Sequence, residues 1–192
     1  MFKKILGLDL SGKDGNPSGF CLIYGATVAV IGEFRTLKYL LEYLHKLRPD
    51  IVAVDSPLST SKNKPYRDCD LLLKKDRMNP LPLNTPGMQQ LIRRALLVTE
   101  TLSKVGIKCI ETFPAGALRM LGFKRKPRSY KERRKYFNTI RMMMGLRSMT
   151  RANKLTKDEF DAFVCAVAGY AFLIGRYVEY VGKNCRIILP KA

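Results

Sequence analysis

The chain is poor in acid. Its 192 residues hold 16 Asp and Glu against 35 Lys and Arg, a net charge of +19 with a pI near 10.0. A field of that sign attracts polyanions, nucleic acid first and an anionic membrane surface second. Also missing is any Cys-x-x-Cys pair. The five cysteines (Cys21, Cys69, Cys109, Cys165 and Cys185) are odd in number and widely spaced, so neither a zinc ribbon nor a thioredoxin-like motif is suggested. Three of them sit in apolar runs and read as buried thiols of a reducing compartment. No apolar run is long enough to cross a membrane: the longest, residues 160–174, contains Asp161 and falls short of a spanning helix. Lys3-Lys4 precede an apolar stretch, but Asp9 interrupts it too early for a signal peptide. The expectation is a soluble, cytoplasmic protein with no membrane partner. The apolar fraction of 46% is ordinary, and the length suits one domain spanning 1–192 with a sizeable core.

What the chain does have is a set of apolar strands that end in a carboxylate. Ile5-Leu6-Gly7-Leu8-Asp9-Leu10 has the length of a buried strand, and Gly12 to Pro17 supply turn chemistry after it. A lone buried carboxylate costs several kcal/mol unless something pairs with it. The plain reading of Asp9 is a cap on the following turn. Residues 19–24 and 27–34 read as two further strands, which with the first make an antiparallel meander. Leu37, Leu40, Leu41, Leu44 and Leu47 then fall at helical spacing, with Thr36 as N-cap and Pro49 as terminator. Asp50-Ile51-Val52-Ala53-Val54-Asp55 repeats the opening pattern. Strand, helix, strand implies a parallel crossover, which puts Asp9 and Asp55 at the same C-terminal sheet edge, where ligands bind in open α/β sheets. Two strand-end acids together are harder to explain as caps.

Residues 59–86 are the least regular stretch, with four prolines and a short helix candidate near Asp70 to Leu73; a substrate-contacting lid and a floppy insertion both fit it. A long helix opens at Pro86-Gly87 and runs to about Lys104. Ile107 to Pro114 is another buried strand, with Glu111 near its end. From Lys124 to Lys157 basic residues dominate, interleaved with Tyr130, Tyr136 and Phe137, and this stretch reads as a basic helical segment. Such a segment suits phosphate contact with stacking, and equally a solvated surface helix whose aromatics pack inward. The last helix starts near Lys157 and is expected to reach about Val181. Asp158 and Asp161 share a face of it, and small residues (Ala162, Ala166, Ala168, Gly169) let it lie close to a sheet. Asp158 complements the helix dipole; Asp161, between Phe160 and Phe163, has no such explanation. A final strand or extended tail follows at residues 185–190.

Asp9, Asp55, Glu111, Asp158 and Asp161 thus converge. Carboxylates from separate strand ends and a helix start are the donors of an oxygen-ligand site for divalent cations. A metal pair would stabilise the attacking and leaving oxygens of phosphodiester cleavage.

The element order is that of the ribonuclease H-like fold. The segments Gly7-Leu8-Asp9, Val54-Asp55-Ser56-Pro57, Arg67-Asp68-Cys69-Asp70, Glu111-Thr112-Phe113-Pro114 and Asp158-Glu159-Phe160-Asp161-Ala162 resemble a family of uncharacterised, predicted ribonuclease H-like nucleases. The Asp-x-x-Asp-Ala helix start is also similar to that of Holliday-junction resolvases in the same superfamily. The resemblance implies a mixed five-stranded α/β sheet, three antiparallel strands then parallel ones, flanked by helices. It implies Asp9, Asp55 and Asp161 as catalytic residues. Those three with Glu111 and Asp158 would be ligands for Mg²⁺ or Mn²⁺. The nucleic-acid contacts expected are Arg67, Lys126, Arg128, Lys131, Arg133, Arg134 and Lys135. Residues 59–86 and the basic block depart from a minimal domain of this kind.

Three readings stand. The first is a metal-dependent nuclease acting on DNA or RNA. The second is a non-catalytic nucleic-acid-binding protein that keeps the fold. The third and most distant is a phosphotransferase of the actin and sugar-kinase type, a class that normally needs two such domains. Oligomeric state is open, a homodimer among the options.

Overall fold

The computed structural model describes residues 2–61, 64–150 and 152–192. Its sheet has eight strands in the order β6-β3-β2-β1-β4-β5-β8-β7. β1 (Lys4–Asp9), β2 (Ser18–Tyr24) and β3 (Thr27–Phe34) form the expected antiparallel meander, and β4 (Ile51–Asp55) and β5 (Lys108–Thr112) extend it in parallel. α1 (Leu37–Leu47), with Thr36 capping the Tyr39 amide, and α3 (Pro86–Ser103) cover one face. α6 (Lys157–Leu173) covers the other, joined there by α2 (Asp68–Lys75), α4 (Pro114–Met120) and α5 (Tyr130–Met143).

The sheet is wider than the five strands expected. β6 (Arg147–Ser148) pairs in parallel with β3 at one edge, and the hairpin of β7 (Tyr177–Gly182) and β8 (Cys185–Pro190) is added at the other. β8 falls where a final strand or extended tail was expected, whereas β7 uses residues expected to be helical. α6 stops at Leu173 because Gly175 takes a left-handed φ of 73°, and the next residues, Tyr177, Val178 and Tyr180, are good strand formers. The basic stretch is likewise helical only in α5. Ser129 caps its start by accepting from the Glu132 amide, and Gly145 at φ 65° follows its end. Arg151 of that stretch lies outside the described residues.

The two-residue period of the strands decides which side chains meet. Leu6 and Leu8 of β1 and Val52 and Val54 of β4 pack toward α1 and α3. Ile5 of β1 and Ile51 and Ala53 of β4 pack toward α6. Asp9 and Asp55 continue this second series and so stand at the edge on the α6 side. Gly7, the residue between Ile5 and Asp9 on that face, is there because α6 is: a Cβ on Gly7 would collide with the backbone of Ala162 and Ala166. Gly19, opposite Asp9 on β2, does the same for the backbone of Asp158. Two missing side chains therefore bring the start of α6, with its acids, down onto the ends of β1 and β2.

Cys69 at the start of α2 and Cys185 at the start of β8 form a disulfide across 116 residues. Cys21, Cys109 and Cys165 are free thiols, Cys21 and Cys165 fully buried, as expected of cysteines in apolar runs. Among the described residues no helix is long and apolar enough to cross a membrane.

Candidate active site

A cleft of about 330 Å³ opens at the C-terminal edge of β1, β4 and β5. Asp9, Asp55 and Asp161 line it together with Lys126 and Lys157. Facing them is an apolar wall of Pro80, Leu81, Leu83, Met88 and Leu91. The irregular stretch 59–86 thus supplies a wall of the cleft.

The floor is electrostatically unbalanced. Asp161 is buried and accepts from Lys126 Nζ at 2.7 Å. Among the described residues neither Asp9 nor Asp55 has a side-chain hydrogen bond of its own. Burial first, then the charges of Asp55, Asp161 and Asp158, push the Asp9 carboxyl up to about 9, against a smaller opposing pull from Lys126. Burial also pushes Asp55 up, to about 7; Lys126 pulls it down more than Asp161 pushes it up. Lys126 responds in the opposite sense to its own burial: the surrounding Asp161, Asp55 and Asp9 raise its pKa and hold it charged. Lys126 and, more weakly, Lys157 stand against three carboxylates, which leaves the site short of positive charge.

Glu111 belongs to a different arrangement. β4 and β5 pair so that Val54, not Asp55, stands opposite Glu111. Glu111 nevertheless lines the same cleft, together with Arg67 and Asp70. There it accepts from Arg67 Nη1 at 2.8 Å and from the Leu58 amide at 2.8 Å, and Arg67 Nη2 is shared between Glu111 and Asp70 Oδ1. Asp70 Oδ2 takes Arg67 Nε at 3.0 Å and the Arg67 amide at 2.8 Å. All three side chains are buried. Glu111, expected among the metal ligands, is committed to Arg67. Arg67, expected to face nucleic acid, is committed to two carboxylates.

Asp158 carries an upshift led by burial, but its carboxylate is not among the groups lining the cleft. It stands behind Asp161 on the Gly19 side. Of the expected nucleic-acid contacts, Arg128, Lys131, Arg134 and Lys135 are exposed. Arg133 is not: its Nε donates to Leu155 O at 2.7 Å, its guanidinium lies 4.6 Å from the Tyr130 ring centroid, and it fastens α5 to the segment before α6. Tyr136 and Phe137 pack inward, against Phe123 and Phe163.

Lys126, Lys157 and the Arg67 network needed the structure to be placed. Arg67 and Asp70 stand three apart at a helix start, a spacing that hints at their pairing. Nothing in the linear sequence joins Lys126 to Asp161. The Thr156-x-x-Glu159 capping box that fixes where α6 begins was visible and was read only as dipole complementation.

The hard oxygen donors of Asp9, Asp55 and Asp161, free of hydrogen bonds at two of the three and short of positive charge, fit a divalent cation such as Mg²⁺ or Mn²⁺ in donor chemistry. They are not gathered for it: among the described residues no group of three His, Cys, Asp or Glu side chains closes on one cation position.

A mixed sheet with an antiparallel meander, parallel strands beyond it and an acidic helix start over the first strand defines an α/β protein of the ribonuclease H-like fold. The chain belongs to the family described as "Protein of unknown function (DUF429)", whose model matches residues 7–184. Among solved structures it is similar to the T. thermophilus RuvC in complex with a Holliday junction substrate: 16% identity, TM-score 0.51, covering 90% of this chain and 96% of that one. At that identity the likeness establishes the fold. No curated protein matches the sequence.

Proposed function

We propose that the protein is a divalent-metal-dependent nuclease cleaving phosphodiester bonds in DNA or RNA. The observation that carries this reading is the placement of Asp9, Asp55 and Asp161 on one wall of a cleft with two lysines at its side, in a chain of charge +19. Asp9, Asp55 and Asp161 would hold Mg²⁺ or Mn²⁺, which supplies Lewis-acid activation of a phosphodiester. Lys126 and Lys157 place positive charge where a phosphate would enter. The Arg67 network holds the loop after β4 against β5 and keeps that side of the cleft fixed. The exposed basic residues of α5 extend the positive field beyond the cleft.

The test is cleavage of single-stranded, duplex and four-way-junction DNA and of RNA with Mn²⁺, by the parent and by Asp55→Asn and Asp161→Asn. Branched DNA is included because the similar solved structure was captured on a Holliday junction. Cleavage by the parent that both variants lose supports the proposal. A second reading, a non-catalytic nucleic-acid-binding protein, is favoured by the Lys126–Asp161 ion pair and the ungathered ligands. It predicts tight nucleic-acid binding with no cleavage and no rise in melting temperature with millimolar Mn²⁺, whereas a metal-binding nuclease is stabilised by mass action.

A further inference from the structure

A second cavity, of about 250 Å³, lies away from the acidic cleft, between α5 and the chain that leads from β6 to α6. Arg134, Asn138 and Arg141 reach it from the helix; Ser148, Thr150 and Asn153 reach it from the connection. No Asp or Glu lines it among the described residues. Donors therefore dominate its polar wall. Most are unspent: the Arg134 guanidinium and the Asn138 and Asn153 amides are without described partners.

Arg141 gives the sharper sign. Its Nη1 donates to Leu146 O at 3.1 Å, which closes the end of α5. Its Nε is shut off from solvent and has no hydrogen-bond partner among the described residues. A buried unpartnered donor is uncommon and calls for an occupant. Arg94 Nε shares that condition, but the comparison separates them. Both terminal nitrogens of Arg94 are taken, by Ser11 and by Asp14. Among the described residues Arg141 keeps Nη2 as well as Nε unpaired, and it borders an open cavity. The Arg141 Nη2 group, a second guanidinium and two amides match the tetrahedral oxygens of a phosphate.

We propose that this pocket binds a phosphate group, and that a nucleic-acid backbone supplies it. The source follows from where the pocket sits. Exposed Lys131, Lys135, Arg147 and Lys154 are close neighbours in sequence of its lining residues. The chain from Thr150 reaches Lys157, on the wall of the acidic cleft, within seven residues, a separation of at most roughly 25 Å. A duplex covers that distance in roughly seven base pairs. The pocket would therefore hold a bound strand several nucleotides from the cleft and set its register there. Binding at the pocket needs no metal and no cleavage, so it can stand or fall apart from the nuclease reading.

The test places a negative charge in the pocket without removing a contact. Asn138→Asp and Asn153→Asp do so at exposed lining positions, and Thr139→Asp puts the same charge on the same helix outside the pocket. Affinity for a labelled duplex oligonucleotide is measured in EDTA across a salt series. Each pocket variant is expected to lose about tenfold in affinity and about one unit of salt slope, with a loss of less than about twofold in the control. Equal losses in all three, or none, overturn the site. The Arg141 Nε–H resonance is then followed with the oligonucleotide and, separately, with inorganic phosphate. A shift with the oligonucleotide that Asn138→Asp abolishes supports the backbone source. A shift with submillimolar inorganic phosphate alone keeps the pocket but overturns that source, leaving free phosphate. No shift with either overturns the pocket.

Discussion

Two groups of buried carboxylates lie at the same sheet edge, and they are handled in opposite ways. Glu111 and Asp70 hold a full guanidinium between them, with main-chain amides satisfying further lone pairs. Asp9, Asp55 and Asp161 have among the described residues one direct ion pair, to Lys126, a side chain about a third exposed to solvent, and two of the three have no hydrogen bond of their own. The first group is closed: charge, donors and acceptors balance, and nothing more is required. The second is open. Two carboxylates about 5 Å apart repel by roughly 3 kcal/mol at an effective dielectric near 20. A proton or a bound cation relieves such repulsion, and the glycines at positions 7 and 19 let α6 come down onto that spot. Burial of an acid alone therefore says little about function; whether its partner is protein tells the two groups apart.

The largest way to break the comparison is at the closed group. Arg67→Met removes the shared cation and leaves two carboxylates buried, with an expected loss of about 3–5 kcal/mol in unfolding free energy by urea denaturation. Next comes the covalent tie on the same side. Reducing the Cys69–Cys185 disulfide, or replacing both with Ser, frees a loop closed across 116 residues. The expected loss is about 2–4 kcal/mol, read as a lower melting temperature in dithiothreitol than in oxidising buffer. Equal melting in the two buffers would remove the tie from the account of this region.

How much of this was open to sequence reading differs between the two groups for physical reasons. The open group was legible. Apolar strands ending at Asp9 and Asp55, joined by a helix, fix a parallel crossover, and Asp161 among phenylalanines had no local explanation. The pairing that commits Glu111 to protein was not legible, because nothing local marks it. Its partner Arg67 lies 44 residues away. The end of α6 was missed because apolar content continues past Leu173 and the signal that stops the helix is a single glycine. β6, two residues long, is set by its pairing to β3 and has no pattern of its own.

At the open group the expected sign reverses. Asp9→Asn keeps the shape of the side chain and removes the cost of holding Asp9 either charged among its neighbours or protonated above its ordinary value. In EDTA at pH 8 the variant should be more stable than the parent by about 1–3 kcal/mol, seen as a higher melting temperature. The same change removes an anionic ligand, so the stabilisation that millimolar Mn²⁺ gives the parent should shrink or vanish. A loss of stability in EDTA would mean that Asp9 is paired in the fold, and the contrast between the groups would collapse.

The finest test is the pH dependence of that same difference. Asp9 titrates at about 9 in the folded chain, raised first by burial and then by Asp55 and Asp161, against an ordinary value of 3.8. The folded state therefore holds a proton that the unfolded state has released, across the window between those values. A group raised in this way contributes its stability fully below its unfolded pKa and loses it as pH rises toward its folded pKa. Near pH 4 the parent carries a neutral Asp9, much like Asn, and the two proteins should melt together. As the pH climbs to 8 the parent should fall behind Asp9→Asn, the gap widening steadily, while groups common to both cancel. Asp55, raised to about 7, also titrates, and because its charge is among those that raise Asp9, part of the gap belongs to the pair. Exposed pairs such as Arg125 with Glu132 cancel, because the substitution leaves them untouched. Adding Mn²⁺ should close the gap from the parent's side, since the cation takes the place of the proton. A gap that is the same at pH 4.5 and pH 8 would mean that Asp9 stays ionised throughout, held by Lys126, and the site would then be as balanced as the one around Arg67.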